Sequence, residues 1–319
     1  MTDSSPIAFL FPGQGSQAVG MGKELAEKYS VARQTFAEAD DALGYSLSQL
    51  CFEGPEEKLK LTEITQPAIL TASVAAWRVL EEKGLKPAYV AGHSLGEYSA
   101  HVAAGTLRFA DAVRTVRNRG RYMQEAVPVG VGAMAAILGL PLEKVSEICR
   151  DAAQGEVCQP ANINSPEQIV ISGQAGAVER VMKLAAERGA KKAVSLPVSA
   201  PFHCALMQPA QDRLAEDLRV LDFHTPSCPV VCNVDASLVI TAEAARDALI
   251  RQVTGSVKWD RSVRALIEKG IGLFVEVGPG KVLWGLMRQI DRSKTCLTVG
   301  DEASLQKTLS QLASSAVTG

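Results

Sequence analysis

Gly92-His93-Ser94-Leu95-Gly96 is the stretch of sequence that decides the fold. It follows an apolar run at residues 88–91 and precedes a helix-compatible stretch at residues 97–104, which stops at Gly105. A G-x-S-x-G pattern between a strand and a helix is typical of a sharp turn that lifts a serine hydroxyl off the end of a sheet. The N-terminus of the following helix offers free amides to a developing negative charge. The sequence therefore predicts that Ser94 is a nucleophile.

Strand and helix patterns alternate along much of the rest of the sequence. Residues 7–11 are apolar and end at the turn Pro12-Gly13-Gln14-Gly15, helical patterns cover residues 68–83 and 110–127, and a further strand is indicated at residues 272–277. Such alternation predicts an α/β fold with a parallel sheet. Together with the serine turn, it favours an α/β-hydrolase-like main domain.

Residues 130–199 have a different rhythm. The pattern indicates strands at residues 133–138, 161–164, 168–171 and 193–196, and helices at residues 142–153 and 177–188. The order β-α-β-β-α-β is that of a ferredoxin-like unit, and hinges fit at residues 130–132 and 197–201. We therefore expect a ferredoxin-like subdomain at residues 130–199, inserted into an α/β-hydrolase-like catalytic subdomain made of residues 1–129 and 200–319.

Composition excludes several classes of protein. The chain has 319 residues and a formal net charge of -2, so it lacks the excess of basic residues that is typical of nucleic-acid-binding proteins. No stretch approaches the roughly 20 apolar residues of a membrane span, and residues 1–6 lack the basic and apolar regions of a signal peptide. The chain has seven cysteines, which is an odd number, and their spacing is not that of a disulfide framework. This fits cysteines that remain as reduced thiols. We expect a cytoplasmic protein without nucleic-acid or membrane partners.

One cluster has the spacing of possible metal ligands, namely His224, Cys228 and Cys232. However, Pro226 and Pro229 break any helix there, and no second ligand pair follows at zinc-site spacing. We expect no metal at this cluster, and buried thiols near a strand instead.

A serine nucleophile needs a base, and the chain has four histidines. His93 adjoins Ser94, but its side chain leaves the turn in a different direction, and His101 lies about two helical turns further on. His224 stands in a polar, proline-flanked segment. His203 lies where the chain returns from the insert to the main domain, at a hinge where a cleft forms. The sequence favours His203 as the base, with an ordinary structural histidine as the alternative.

A hydrolase of this fold carries an acid between the serine and the histidine in sequence. The aspartates in that interval are Asp111, at the start of a predicted helix, and Asp151, at the end of another. No glutamate stands at the end of an apparent strand of the main sheet. We therefore expect main-chain groups, rather than a carboxylate, to orient the imidazole.

An oxyanion hole needs two backbone amides. Leu95, directly after the serine, supplies the first, and the turn Gly13-Gln14-Gly15 at the end of a neighbouring strand supplies the second. The alternative for this turn is a phosphate-binding loop, but the Lys-Ser/Thr of a P-loop is absent.

Arg119 is singled out by helical periodicity. Apolar or small residues recur at steps of three and four on its helix, at Val113, Val116, Gly120, Met123 and Val127. At roughly 100° per residue, Arg119 falls about 70° from the centre of this stripe. The other arginines of the helix, Arg114, Arg117 and Arg121, fall about 90° or further away. An inward guanidinium needs an anion, either an internal carboxylate or a substrate carboxylate, and the pattern leaves both open.

With these parts in place, the chain resembles malonyl-CoA:acyl carrier protein transacylases over nearly its whole length. The resemblance rests on ordered motifs: Phe11-Pro12-Gly13-Gln14-Gly15-Ser16-Gln17, Thr65-Gln66-Pro67-Ala68, Gly92-His93-Ser94-Leu95-Gly96-Glu97, Arg119-Gly120-Arg121-Tyr122-Met123-Gln124, Asn162-Ile163-Asn164-Ser165-Pro166 and Glu276-Val277-Gly278-Pro279-Gly280.

The resemblance implies a role for each site residue. By this resemblance, Ser94 is expected to be the acylated nucleophile and His203 its base, with Gln14 and Leu95 as the oxyanion donors. Arg119 is expected to bind the free malonyl carboxylate, and the main-chain carbonyl of Gln252 to orient the histidine. Asn162, with Asn164, is expected at the subdomain junction, where it supports substrate binding rather than the chemistry. Phe202 departs from family members that carry serine before the histidine, which bears on acyl selectivity rather than on the chemistry.

The activity implied by the resemblance is transfer of malonyl from malonyl-CoA to the phosphopantetheine thiol of acyl carrier protein, by a ping-pong malonyl-serine mechanism that supplies fatty acid synthesis. No cofactor is implied, and a monomer is expected. Alternatives are a thioesterase or esterase, a discrete acyltransferase that serves a polyketide synthase, and a non-catalytic module that binds carrier proteins. Because acyl carrier proteins are acidic, candidate docking residues are basic: Arg188, Lys191 and Lys192, or Lys281 and Arg288.

Overall fold

The computed structural model describes residues 6–198 and 200–317. Its strands are β1 (Ile7–Phe11), β2 (Tyr89–Gly92), β3 (Gly132–Leu138), β4 (Cys158–Ser165), β5 (Gln168–Gln174), β6 (Lys192–Ser195), β7 (Val230–Val231), β8 (Leu238–Val239), β9 (Leu273–Val277) and β10 (Thr295–Val299). Ser199, within the hinge predicted at residues 197–201, and residues 1–5, on which the signal-peptide prediction rests, lie outside the described residues.

The helices of the first half of the chain are α1 (Lys23–Lys28), α2 (Ser30–Leu43), α3 (Leu47–Glu53), α4 (Glu56–Leu59), α5 (Thr62–Glu82), α6 (Gly96–Ala103), α7 (Phe109–Glu125) and α8 (Leu142–Ala153). Those of the second half are α9 (Ala175–Glu187), α10 (Gln208–Arg219), α11 (Ala242–Arg251), α12 (Trp259–Glu268), α13 (Val282–Ile290) and α14 (Glu302–Val317), with a short 3-10 helix at Ala205–Met207. None of the described helices is both long and apolar enough to cross a membrane.

The main sheet has the strand order β10-β9-β1-β2-β7-β8. Its pairs are parallel except for β7 with β8, which is antiparallel. The parallel sheet predicted from the alternation of strands and helices is therefore confirmed. In the register of β1 with β2, Phe11 lies opposite Gly92. Because these two strands end together, the turn after Phe11 and the serine turn after Gly92 emerge side by side at one edge of the sheet.

The second sheet has the order β4-β5-β3-β6, and all of its pairs are antiparallel. Helices α8 and α9 pack on it around a separate apolar cluster, which includes Ile137, Ile148 and Val181. The elements follow the order predicted from the sequence, and α8 has the predicted bounds. Two main-chain hydrogen bonds, from Ile163 to Val257 and from Val257 to Ala161, tie β4 to the main domain.

Helix α5 begins earlier than the sequence pattern predicts. The pattern indicates a helix from residue 68, whereas α5 begins at Thr62 and contains Pro67. The Thr65 hydroxyl shares its proton between the carbonyls of Leu59 and Leu61 and so ties the first turn of the helix to the residues that precede it. The longer helix places Gln66 against α7, which matters for the site below.

Candidate active site

Ser94 lies in a strained turn between β2 and α6. Its φ is 51°, in the left-handed region that non-glycine residues rarely occupy. The two flanking glycines permit the turn because there is no room for a side chain at either position. A Cβ atom at Gly92 would lie 1.9 Å from the carbonyl oxygen of Gly96, and one at Gly96 would lie 2.0 Å from that of Phe11. The predicted strand–turn–helix arrangement is therefore present.

The Ser94 hydroxyl and His203 form a hydrogen-bonded pair, with 2.7 Å between Oγ and Nε2. The other ring nitrogen, Nδ1, lies 2.9 Å from the carbonyl oxygen of Gln252 and 3.2 Å from that of Gly255. Carbonyl oxygens only accept hydrogen bonds, so Nδ1 carries the proton and Nε2 is free to accept one from Ser94. This geometry agrees with the expectation that main-chain groups orient the imidazole. The carbonyl of Gly255 is a second such group, which the sequence did not predict.

Burial keeps this imidazole neutral. His203 is buried, and desolvation, together with the positive charge of Arg119, lowers its pKa to about 3. The ring can therefore act as a base throughout the neutral and mildly acidic range, with low proton affinity. The other three histidines make different contacts: His93, beside Ser94 in the chain, is hydrogen bonded through Nε2 to Asn164 Oδ1 at 2.8 Å, His101 is buried in α6, and His224 is exposed.

Arg119 is buried on α7 and has neutral hydrogen-bond partners. Its Nη1 donates to Gln66 Oε1 at 2.8 Å, and its Nη2 donates to Gln252 Oε1 at 2.9 Å and to Ser94 Oγ at 3.2 Å. Within residues 6–198 and 200–317, no carboxylate forms an ion pair with it. The alternative of an internal salt bridge is therefore not found among the described residues, and the charge lies beside the Ser94 hydroxyl oxygen.

A cavity of about 200 Å³ brings the predicted residues together. Ser94, His203, Arg119, Leu95 and Gln14 all line it, and Asn162 and Asn164 line it from β4, so it lies between the two sheets. Of the described lining residues, only Arg119 carries a full charge, and the side-chain Oδ1 of Asn162 is buried without a hydrogen-bond partner. Gln252 contributes through its main-chain carbonyl and its side-chain contacts with Arg119 and Ser94.

Three residues of the site were not predicted from the sequence. Gln66 holds Arg119. Asn233 accepts a hydrogen bond from the main-chain N–H of Ser94 at 2.6 Å and donates one to the carbonyl of Gly92 at 2.7 Å. Glu97 is buried behind Gln252 and accepts a hydrogen bond from its Nε2 at 2.7 Å. The position of Glu97 directly after the serine turn was a usable signal, whereas Asn233, which lies 139 residues from Ser94, left none.

Some of the basic docking candidates are already engaged. Arg188 forms ion pairs with Glu147 and Asp151, and Lys191 forms one with Glu167. Arg288 instead stacks on Trp284, 5.0 Å from the ring centroid. No group of three or more His, Cys, Asp or Glu side chains in the described chain is placed to hold a metal ion, and this includes the cluster around Cys228.

Comparison with known proteins gives the family. The acyl transferase domain model matches residues 8–316. The malonyl CoA-acyl carrier protein transacylase of Salmonella typhimurium is 52% identical over 306 residues, which cover 96% of this chain and 99% of that protein. The crystal structure of an acyl carrier protein S-malonyltransferase from Vibrio cholerae is 52% identical, with a TM-score of 0.94, over 95% of this chain and 100% of that one.

A second solved structure holds a malonyl-transacylase in complex with its type II PKS acyl-carrier protein. It is 50% identical, with a TM-score of 0.94, and the match covers 96% of this chain and 100% of that one. The residues matched by the domain model, 8–316, include all the residues that line the cavity. The chain therefore belongs to the acyl transferase domain family, among the malonyl CoA-acyl carrier protein transacylases.

Proposed function

We propose that this protein transfers a malonyl group from malonyl-CoA to the phosphopantetheine thiol of acyl carrier protein. One observation carries the choice of acyl group. Arg119 is a buried cation with neutral partners, and its Nη2 lies 3.2 Å from the oxygen that would carry the acyl chain. A malonyl group on Ser94 ends in a carboxylate a few bonds from the ester, and a guanidinium binds such a group in bidentate fashion.

The first half of the reaction acylates Ser94. Nε2 of His203 takes the hydroxyl proton, and Oγ attacks the thioester carbonyl of malonyl-CoA. Leu95 and Gln14 both line the cavity, and in this proposal their main-chain amides stabilise the negative charge on the carbonyl oxygen. The carbon–sulfur bond then breaks, and CoA leaves as a thiol with the proton from His203. No external cofactor is needed for these steps.

The second half returns the serine to its free form. The phosphopantetheine thiol of the carrier enters the same cavity, gives its proton to Nε2 of His203 and attacks the serine ester. The carbon–oxygen bond breaks, and Ser94 recovers the proton. Because CoA leaves before the carrier binds, the kinetics are ping-pong. Through both halves, the carbonyls of Gln252 and Gly255 hold the Nδ1 proton and keep the ring in position.

We also propose that the protein consists of two subdomains. The antiparallel order β4-β5-β3-β6 with two helices on one face supports a ferredoxin-like subdomain at residues 130–199. The parallel sheet and the serine turn support an α/β-hydrolase-like catalytic subdomain formed by residues 1–129 and 200–319. Asn162 and Asn164 then lie at the junction between the two, where Asn164 orients His93. The seven free cysteines fit a reducing, cytoplasmic compartment.

The carrier is expected to approach the cavity beside α13. Val282, Leu283 and Leu286 line the cavity, and Val282 is exposed, so the cavity reaches the surface next to Lys281 and Arg288. These two basic residues are better placed for an acidic carrier than Arg188 and Lys191, which are held in ion pairs. The complex of a 50% identical relative with a type II PKS carrier favours polyketide synthesis as a second setting beside fatty acid synthesis.

Intact-mass spectrometry tests the proposal. Incubation with malonyl-CoA should add one malonyl group to the protein, and addition of a carrier with a free phosphopantetheine thiol should then remove that mass from the enzyme and add it to the carrier. The Ser94→Ala variant should acquire no malonyl group. Malonylation that survives in this variant would place the nucleophile elsewhere. A panel of fatty-acid and polyketide carriers, compared by transfer rate, distinguishes the two settings.

A further inference from the structure

Glu97 is a buried carboxylate for which the mechanism above has no use. It lies in the first turn of α6 and is fully buried. Its Oε2 accepts two hydrogen bonds, one from Gln252 Nε2 at 2.7 Å and one from the main-chain N–H of Asn233 at 3.0 Å. Its Oε1 has no hydrogen-bond partner among the described residues and lies 4.0 Å from Nε2 of His101. The contacts that link Glu97 to the site are therefore concentrated on one oxygen.

These contacts determine which way the side-chain amide of Gln252 faces. Its Nε2 also donates to the carbonyl of Ser94 at 2.9 Å, and its Oε1 accepts from Arg119 Nη2 at 2.9 Å. A guanidinium can only donate hydrogen bonds, whereas a carbonyl and an acceptor oxygen of Glu97 can only accept them. The reversed amide would place its NH2 group against Arg119 and its oxygen against two acceptors. Glu97 and the Ser94 carbonyl thus together select the one orientation in which the Gln252 oxygen faces Arg119.

Arg119 depends on that oxygen for its own orientation. Gln252 Oε1 and Gln66 Oε1 hold Nη2 and Nη1 respectively, and together they fix the plane of the guanidinium beside Ser94. We propose that Glu97 is a positioning residue that acts through the Gln252 amide to hold Arg119 in the orientation that receives the acyl carboxylate. This inference rests on the proposed role of Arg119 and adds a residue to it.

In this proposal Glu97 contributes a side chain long enough to contact Gln252 and an oxygen that accepts the hydrogen bond of its amide. The charge of Glu97 is not required. A glutamine at this position can keep its oxygen where Oε2 now lies, because the N–H of Asn233 requires an acceptor there. Its NH2 group would then take the place of Oε1, facing His101. Burial lowers the pKa of His101 to about 3, so that ring is neutral and offers a nitrogen acceptor. An aspartate keeps the carboxyl group but is one methylene shorter, which withdraws that group from Gln252.

The test compares Glu97→Gln with Glu97→Asp. The readout is the ratio of kcat/KM for malonyl-CoA to kcat/KM for acetyl-CoA, because any inactive fraction of a preparation lowers both values equally. We expect Glu97→Gln to keep the ratio within threefold of wild type and Glu97→Asp to lower it at least fivefold. Ser99→Ala is the matched control, since Ser99 is equally buried on α6 and its hydroxyl has no partner among the described residues. It should keep the wild-type ratio.

Every other result overturns the inference. A ratio kept by Glu97→Asp, whether or not Glu97→Gln also keeps it, shows that reach to Gln252 is not required. A ratio lost to a similar extent in both variants shows that the acceptor is not what matters. Arg119→Ala, measured in the same assay, distinguishes a failure of the role inferred for Glu97 from a failure of the role proposed for Arg119. If Arg119→Ala keeps the ratio, the proposed role of Arg119 fails, whereas a ratio lost in Arg119→Ala but kept in Glu97→Asp removes only Glu97.

Discussion

Replacement of Arg119 by alanine is the most direct test of how the acyl group is recognised. The guanidinium is buried, and its partners Gln66, Gln252 and Ser94 are neutral. Removal of one partner of a buried charge pair costs about 3 kcal/mol or more. Because these neutral partners also satisfy Arg119 when acetyl-CoA is bound, we take the lower end of that range. About 1.4 kcal/mol corresponds to a factor of ten, so the preference for malonyl over acetyl should fall about a hundredfold.

The assay measures acylation directly. Stopped-flow or quenched-flow experiments give kcat/KM for malonyl-CoA and acetyl-CoA with wild type, Arg119→Ala and a control, Arg114→Ala. Arg114 lies on the same helix, is exposed and pairs with Asp111, so its loss should leave the ratio unchanged. Reorganisation of Gln66 or Gln252 in the variant slows both substrates and cancels in the ratio.

The reasoning is refuted if Arg119→Ala slows both acyl-CoA substrates equally. That outcome would mean that Arg119 supports the geometry of Ser94, to which its Nη2 donates, without contacting the acyl carboxylate. A fall confined to malonyl-CoA, with acetyl-CoA little changed or faster, is the expected result.

Three further predictions follow from charge and burial. Because burial lowers the pKa of His203 to about 3, kcat/KM for acylation should show no fall with a midpoint near 6.5 between pH 8 and pH 5, and such a fall in the pH profile would contradict the assignment. His101 has a folded-state pKa of about 3 against an ordinary 6.5, so protons bind preferentially to the unfolded chain as the pH falls. The free energy of unfolding, measured in urea, should therefore drop between pH 7 and pH 5 by about 2 kcal/mol more in wild type than in His101→Leu, and equal drops would show that His101 is solvated in the folded protein. Finally, Lys281→Glu should raise KM for the carrier about fivefold or more without slowing malonylation, whereas Lys191→Glu should not, and equal effects would remove α13 from the docking surface.

Local sequence patterns predicted the elements whose signal lies in their own residues. The turn at Ser94 was predicted because Gly92 and Gly96 are required by contacts within a few residues and with the neighbouring strand. The inward direction of Arg119 followed from helical periodicity, which reports on the face of a helix but not on the groups opposite it. Helix α5 was predicted too short because Pro67 does not mark its boundary, and this error concealed Gln66.

The partners of the predicted catalytic residues come from distant parts of the chain. Gln252 meets Ser94 across 158 residues and Glu97 across 155, and Asn233 meets Gly92 across 141. No periodicity or spacing encodes such contacts, because they arise only when the strands of the sheet are ordered. The resemblance to a known family supplied Gln252, and the position of Glu97 directly after the serine turn was a signal that the sequence analysis did not use. Asn233 required the folded arrangement. The sequence thus predicts the reacting groups, and the structure is needed to find the groups that hold them.

The way in which His203 is held explains why malonyl should pass to a thiol and not to water. Two neutral carbonyls orient the ring, and burial beside Arg119 makes it a weak base with a pKa of about 3. A thiol has a pKa of about 8.5, so a weak base suffices to deprotonate it as it attacks. Water has a pKa of about 15.7, and the serine hydroxyl is similarly hard to deprotonate. The fold compensates for this at Ser94, whose Oγ is held 2.7 Å from Nε2 of His203 and 3.2 Å from the cationic Nη2 of Arg119. A diffusing water molecule has neither this fixed position nor the low pKa of a thiol, so the malonyl-serine should react with the carrier thiol in preference to water.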